Sequence, residues 1–144
     1  MPFETEAQKN VYEMIVPWMK EIWGELARFP EDQPVIVVDV GSTLALVVVF
    51  PWGEDEAVIE TRAMVTKGTE LTPDLLRYLL ENNERMRFGS FAVGSNGEIF
   101  FIHSIVGSTC DKNELRASTR AVVSTADEYD DKIVQRWGGK RMSD

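Results

Sequence analysis

The amino-acid sequence predicts an α+β domain: a mostly antiparallel five-stranded sheet carrying three helices, in the order α-β-β-β-α-β-β-α. Three observations lead there. Apolar residues at helical spacing open the chain, two pairs of apolar runs are joined by glycine-containing loops of hairpin length, and an acidic, helix-patterned segment follows the second pair.

Thr5 with Gln8 reads as a capping box, followed by Val11, Ile15, Trp18, Ile22, Leu26 and Phe29, so the first helix ends near Arg28. Pro17 lies inside it, removes one donor and crowds the carbonyl four residues earlier, which predicts a kink or a break. Pro30 to Pro34 is a linker. Strands over Val35–Val40 and Thr43–Phe50 meet at Gly41-Ser42, where glycine first in a two-residue loop suits type II′. Neither strand alternates cleanly, so both are expected to be covered on two sides, with Asp39 their one charge.

A turn around Pro51 to Glu54 leads to a third strand near Ala57–Val65. Thr72-Pro73-Asp74 then opens a helix with threonine as cap and proline at its first position. Leu75, Leu76, Leu79 and Leu80 form its apolar stripe, and Asn82-Asn83 is its expected end. The second hairpin joins Phe88–Val93 to Glu98–Val106 through Ser95-Asn96-Gly97. A type I′ Asn-Gly turn pairing Ser95 with Glu98 sets Val93 against Phe100, Ala92 against Phe101, Phe91 against Ile102 and Ser90 against His103. Aromatics then fall on both faces, and two apolar faces need two covers. Helices supply one; the other suggests a subunit interface or a partner groove. Asp111 with Glu114 caps the last helix, whose inner side holds Leu115, Thr119, Val122, Ala126, Tyr129 and Ile133. A single domain over 1–137 and a flexible tail over 138–144 are expected.

The totals limit the function. A length of 144 residues suits one core, and 44% hydrophobic with 27% charged residues is ordinary globular composition. The longest apolar run, Leu44 to Trp52, is too short for a bilayer, and the first residues lack a basic region followed by an apolar block. No membrane role is expected. One cysteine forms no intrachain disulfide, in keeping with a cytoplasmic location. A net charge of −9 repels phosphate backbones, and Lys140-Arg141 is too small a cluster to reverse that, so no nucleic-acid partner is expected.

The order of elements, and the run Arg87-Phe88-Gly89-Ser90-Phe91 with Asn96-Gly97-Glu98-Ile99, His103-Ser104 and Ala126-Asp127-Glu128-Tyr129-Asp130-Asp131, resembles the YbjN-type proteins of the type III secretion chaperone-like superfamily. The resemblance implies an acidic cytosolic homodimer that binds a protein or peptide client or serves regulation, with no cofactor. It implies dimer contacts at Leu76, Leu79, Leu80 and Phe88, and client contacts at Trp18, Phe101 and His103.

Reactive signals are sparse. Val37 to Thr43 looks like the first phosphate loop of actin-type ATPases, but that chemistry needs a second loop and an opposing lobe. His103 is the only histidine, which excludes a histidine-rich metal centre. Cys110 precedes a helix start, where amides favour a thiolate and the Asp111 carboxylate opposes it. Asp127, Glu128, Asp130 and Asp131 spread around a helix, Glu128 pairing with Lys132, and read as a solvated face. The four tryptophans read as packing, although Trp18 and Trp23 cannot share one narrow stripe. The leading expectation is a non-enzymatic homodimeric peptide-binding module. A small-molecule sensor or enzyme built on Asp39, His103 or Cys110 is the alternative, and a structural subunit of a larger complex is a third.

Overall fold

The computed structural model describes residues 2–144. The first helix, α1, spans Glu6–Trp23 and begins as its cap predicts, Thr5 Oγ1 accepting the Gln8 amide at 3.1 Å. The Gln8 side chain reaches back past Thr5 to the Glu4 amide (2.7 Å) and also donates to the Val49 carbonyl (2.8 Å). The helix start is thereby tied to the sheet. Pro17 does not break the helix: it lies on the exposed side with Glu13, so the carbonyl it strips of a donor faces water. Gly24, at φ +56°, ends α1 earlier than the apolar spacing implies, and a short 3-10 turn over Gly24–Leu26 leads into β1, Ala27–Arg28.

The remaining elements are β2 Val35–Val40, β3 Thr43–Trp52, β4 Glu56–Lys67, α2 Pro73–Arg85, β5 Ser90–Val93, β6 Ile99–Val106, α3 Lys112–Trp137 and β7 Lys140–Arg141. The sheet has seven strands where five were expected, because β1 and β7 are two residues each and too short to leave a pattern. Neighbours run β1-β2-β3-β4-β6-β5, every pair antiparallel. The expected tail, 138–144, carries β7, which pairs Lys140 with Lys67 and Arg141 with Thr66. Ile99 holds the β6 side of Thr66, so β7 takes the side that β3 vacates after Ala63.

The caps of α2 and α3 follow the sequence signals: Thr72 Oγ1 accepts from Leu75 N (3.2 Å) and Asp111 Oδ1 from Glu114 N (2.7 Å). Asn82-Asn83 does not end α2, which continues to Arg85. Both side chains have other partners. Asn82 Oδ1 accepts from the Tyr129 hydroxyl (3.1 Å), while Asn83 Oδ1 accepts from Phe91 N (2.6 Å) and its Nδ2 donates to Phe91 O (3.3 Å). The Asn83 amide thus occupies the outer edge of β5 where a further strand would pair.

The second hairpin is closed differently from the two-residue turn expected of it. Gly94 N donates to Glu98 O (2.8 Å), leaving a three-residue loop, and Gly97 alone has positive φ, at +80°. Asn96 keeps negative φ, so the turn is not type I′; an αL glycine closing a three-residue loop is the bulged alternative. A Cβ on Gly97 would stand 2.7 Å from the Thr69 carbonyl, which also reserves the position for glycine. Register moves by one: Phe91 pairs with Phe101, Ala92 with Phe100 and Ser90 with Ile102. A slip of one residue exchanges the faces of a strand.

One core results. Inward residues of β2, β3, β4 and β6, including Ile36, Val47, Ile59 and Phe101, form a continuous cluster with Ile15 and Met19 of α1, Leu75 and Leu79 of α2, and Leu115, Val122 and Ile133 of α3. All three helices therefore cover the same side. Phe91 locks the β5 end of that layer, edge-on to Phe101 at 5.0 Å and to Tyr129 at 5.2 Å. The Trp23 indole donates to Thr119 Oγ1 (3.0 Å) and joins α1 to α3.

Candidate functional site

The expectation that β2 and β3 are covered on two sides is overturned. Their outward residues face no helix, and none of Val35, Val37, Leu44, Leu46, Val48 or Phe50 belongs to the core or packs on it. The register arranges the open face in rows. Phe50, Val58 and Val106 stand abreast on β3, β4 and β6; Val35, Val48, Glu60 and Ser104 form the next row; Val37, Leu46, Arg62, Ile102 and Ser90 follow. Beyond them lie Asp39 beside Leu44 on one side, and Met64 beside Phe100 and Ala92 on the other. Two ion pairs and the serines Ser90 and Ser104 interrupt the apolar surface, the pairs being Arg62 Nε to Glu60 Oε1 at 3.0 Å and Arg28 to Asp39 at 3.6 Å. Arg62 also lies over the Phe100 ring, 5.0 Å from its centre.

At the row of Phe50, Val58 and Val106 the face deepens into a groove of about 660 Å³, which Trp52, Glu56, Glu60 and Ser104 help to line. Trp52 is 70% exposed and Val106 52%, unusual for large apolar side chains standing together. Glu56 fastens the groove's end, its Oε1 accepting from Ala57 N (2.8 Å) and Ser108 N (3.0 Å) and its Oε2 from the Ser108 hydroxyl. Those donors hold its carboxyl below the usual range, the Ser108 hydroxyl first among them.

Both lateral edges of the sheet are partly obstructed. On one side the Asn83 amide blocks β5, and on the other β1 is two residues long and carries the exposed Arg28. The accessible apolar feature is the face.

The residues singled out from the sequence are dispersed. Phe101 is 0% exposed and belongs to the core on the helix side, while its neighbours Phe100 and Ile102 lie on the other face. Leu79, 3% exposed, is part of the core, because α2 turns Leu75 and Leu79 inward. Leu80 stands 68% exposed, with Leu76, Arg77, Glu81 and Glu84 around a shallow depression. Phe88 belongs elsewhere, edge-on to His103 at 5.6 Å in a hollow shared with Glu114 and Arg87. His103 is on the helix side, its Nδ1 paired with Ser118 Oγ at 2.7 Å; burial holds its imidazole below the ordinary 6.5, with Glu114 acting in the opposite sense. Trp18 is partly buried on α1 against the core.

The groups of the alternative reading do not converge. Asp39 is on the open side of the sheet and His103 on the other. Cys110 is buried, its thiol pushed up to about 11 by desolvation and by the Glu114 and Asp111 charges, so little thiolate forms near neutrality. The Gly41-Ser42 tip presses against acid: the Ser42 hydroxyl is 3.2 Å from Asp127 Oδ1 and 3.1 Å from Asp130 Oδ2, poor surroundings for a phosphate. Among the described residues no cluster of three or more histidine, cysteine or carboxylate side chains is placed to hold a metal, and no helix is long and apolar enough to cross a membrane.

Sequence reasoning missed Phe50, Trp52, Val58 and Val106. The signal was present, since both parities of Thr43–Trp52 are apolar, but it was assigned to burial on two sides.

A sheet laminated by helices on one face and bare and largely apolar on the other has the anatomy of a chaperone-like α+β protein. Residues 9–144 match the family model TY-Chap1, described as T3SS (YopN, CesT) and YbjN peptide-binding chaperone 1, and the chain belongs to that family. No curated protein matches it.

Proposed function

We propose that this protein is a non-enzymatic chaperone-like module that holds an extended apolar segment of a client polypeptide on the open face of its sheet, in the cytoplasm. The observation that carries the reading is the uncovered apolar surface crossing β2, β3, β4 and β6. The family's description as a peptide-binding chaperone supports the same occupant. Apolar surface removed from water contributes roughly 25 cal/mol per Å², offset by the cost of ordering the segment, so recognition is segment-sized and modest. Asn83 on β5 and the short β1 on β2 obstruct part of each edge, which favours the face over the hydrogen-bond ladder.

A homodimer joined through the outer side of α2 is the second part of the proposal. Leu76 and Leu80 lie one turn apart there, bordered by Asp74, Arg77, Glu81 and Glu84, a mixed rim able to pair with its own copy. This arrangement leaves the sheet face free.

A photo-crosslinking residue placed at Val106, with Ser124 on exposed α3 as control, tests the reading in cells. Adducts to one or a few extended segments of other proteins at position 106, and none at 124, are the expected result. Adducts at 106 only to a second copy of this chain would make the face a subunit interface and overturn it.

A further inference from the structure

The groove carries more than apolar surface. Its lining includes two carboxylates, Glu56 and Glu60, and no lysine or arginine. Glu60 is already neutralised by Arg62 at 3.0 Å. Among the described residues Glu56 has no cation within salt-bridge distance, and neither do Glu54 and Asp55 in the adjoining turn. Beside Glu56, in register across β3 and β4, stands the exposed indole of Trp52. An aromatic face next to an unpaired carboxylate is a seat for a cation, which gains from ring quadrupole and charge together.

Spacing makes the seat specific. Glu56 and Val58 are two residues apart on one strand and point to one side. An extended client follows the same repeat, with same-face side chains about 7 Å apart. A residue resting on Phe50, Val58 and Val106 therefore delivers its second neighbour to Trp52 and Glu56. In the other direction the second neighbour meets Glu60, whose charge is spent.

We propose that this groove selects client segments in which a lysine or arginine lies two residues from an aromatic or aliphatic anchor, the anchor covering Phe50, Val58 and Val106 and the cation sitting between Trp52 and Glu56. The proposal rests on the peptide-binding reading and adds a client chemistry to it. The net charge of −9 adds a long-range attraction for such segments and slows the approach of acidic ones.

Fluorescence anisotropy with labelled peptides of about nine residues, alike except at one position, tests it. One peptide has lysine two residues before a central phenylalanine, one glutamine, one glutamate, and a fourth has lysine directly before the phenylalanine, where it projects away from the sheet. The lysine peptide is expected to bind about tenfold tighter than the glutamate peptide at low salt, with glutamine between and the adjacent-lysine peptide matching glutamine. The advantage shrinks in about 0.5 M salt. Glu56→Gln, whose remaining oxygen still accepts from Ala57 and Ser108, is expected to bring the lysine peptide to the level of the glutamine peptide. If lysine, glutamine and glutamate peptides bind alike, or lysine acts equally at both positions, the cation seat is overturned and the peptide-binding reading stands. If none binds at about 100 µM, both fall.

Discussion

Truncating Trp52 to alanine separates client recognition from folding. A tryptophan side chain offers up to about 250 Å² of surface, and at 70% exposure roughly 175 Å² of it still faces water. A segment lying across the groove covers one side of the ring, roughly half of that area. At roughly 25 cal/mol per Å² the contact contributes about 2 kcal/mol, and immobilising the indole returns up to about 1 kcal/mol. Trp52→Ala is therefore expected to weaken peptide binding about fivefold to thirtyfold. The free protein should scarcely notice, because the ring contributes little to the core; its Tm is expected to move by less than about 2 °C. Anisotropy titration with the lysine-bearing peptide, beside thermal unfolding of the two free proteins, reads both quantities. Affinity unchanged within about twofold would show that the client does not cross this end of the sheet. A Tm lowered by more than about 5 °C would show that the indole is packing.

Further outcomes follow from other parts of the molecule. Leu80→Asp is expected to halve the mass seen by light scattering at micromolar concentration while Tm holds, and an unchanged mass rejects the α2 surface as the dimer contact. Leu79→Ala, one turn away from Leu75 and buried, is expected to cost about 2–5 kcal/mol in urea unfolding whatever the oligomeric state; a loss below about 1 kcal/mol would contradict its place in the core. His103 has its imidazole below 6.5 in the folded chain, so below pH 6.5 the unfolded chain takes up the proton first. Stability is then complete above that value and falls as the pH drops towards the folded pKa, and His103→Gln should flatten the profile immediately below pH 6.5; an unaltered slope assigns it to other groups. Asn83→Ala is expected to lose about 1–3 kcal/mol by stranding the Phe91 amide and carbonyl and to increase aggregation at high concentration, measured by light scattering of the folded protein.

Much of the framework is legible before any coordinates. Thr5, Thr72 and Asp111 announce their helices because a cap is a local device, complete within four residues. The Gly41-Ser42 hairpin is likewise local, with positive φ at Gly41 and Val40 paired to Thr43. Register at Ser95-Asn96-Gly97 is less legible, since two-residue and three-residue loops draw on the same residues and the choice depends on how Gly97 fits against Thr69. That one step pairs Phe101 with Ala92, where the structure pairs it with Phe91. The strands β1 and β7 leave no periodic trace because pairing with long neighbours, not their own composition, creates them. The site was hidden for another reason. An apolar run reports that water is unwelcome on both sides of a strand, but not whether the second cover comes from the same chain.

The amide of Asn83 stands where another strand would add to β5. Growth along the hydrogen-bond direction has no natural end and gives fibres, whereas stacking one sheet face upon another is finished after a single partner. A single side chain thus obstructs growth at the β5 edge and leaves the apolar face as the broader surface for contact.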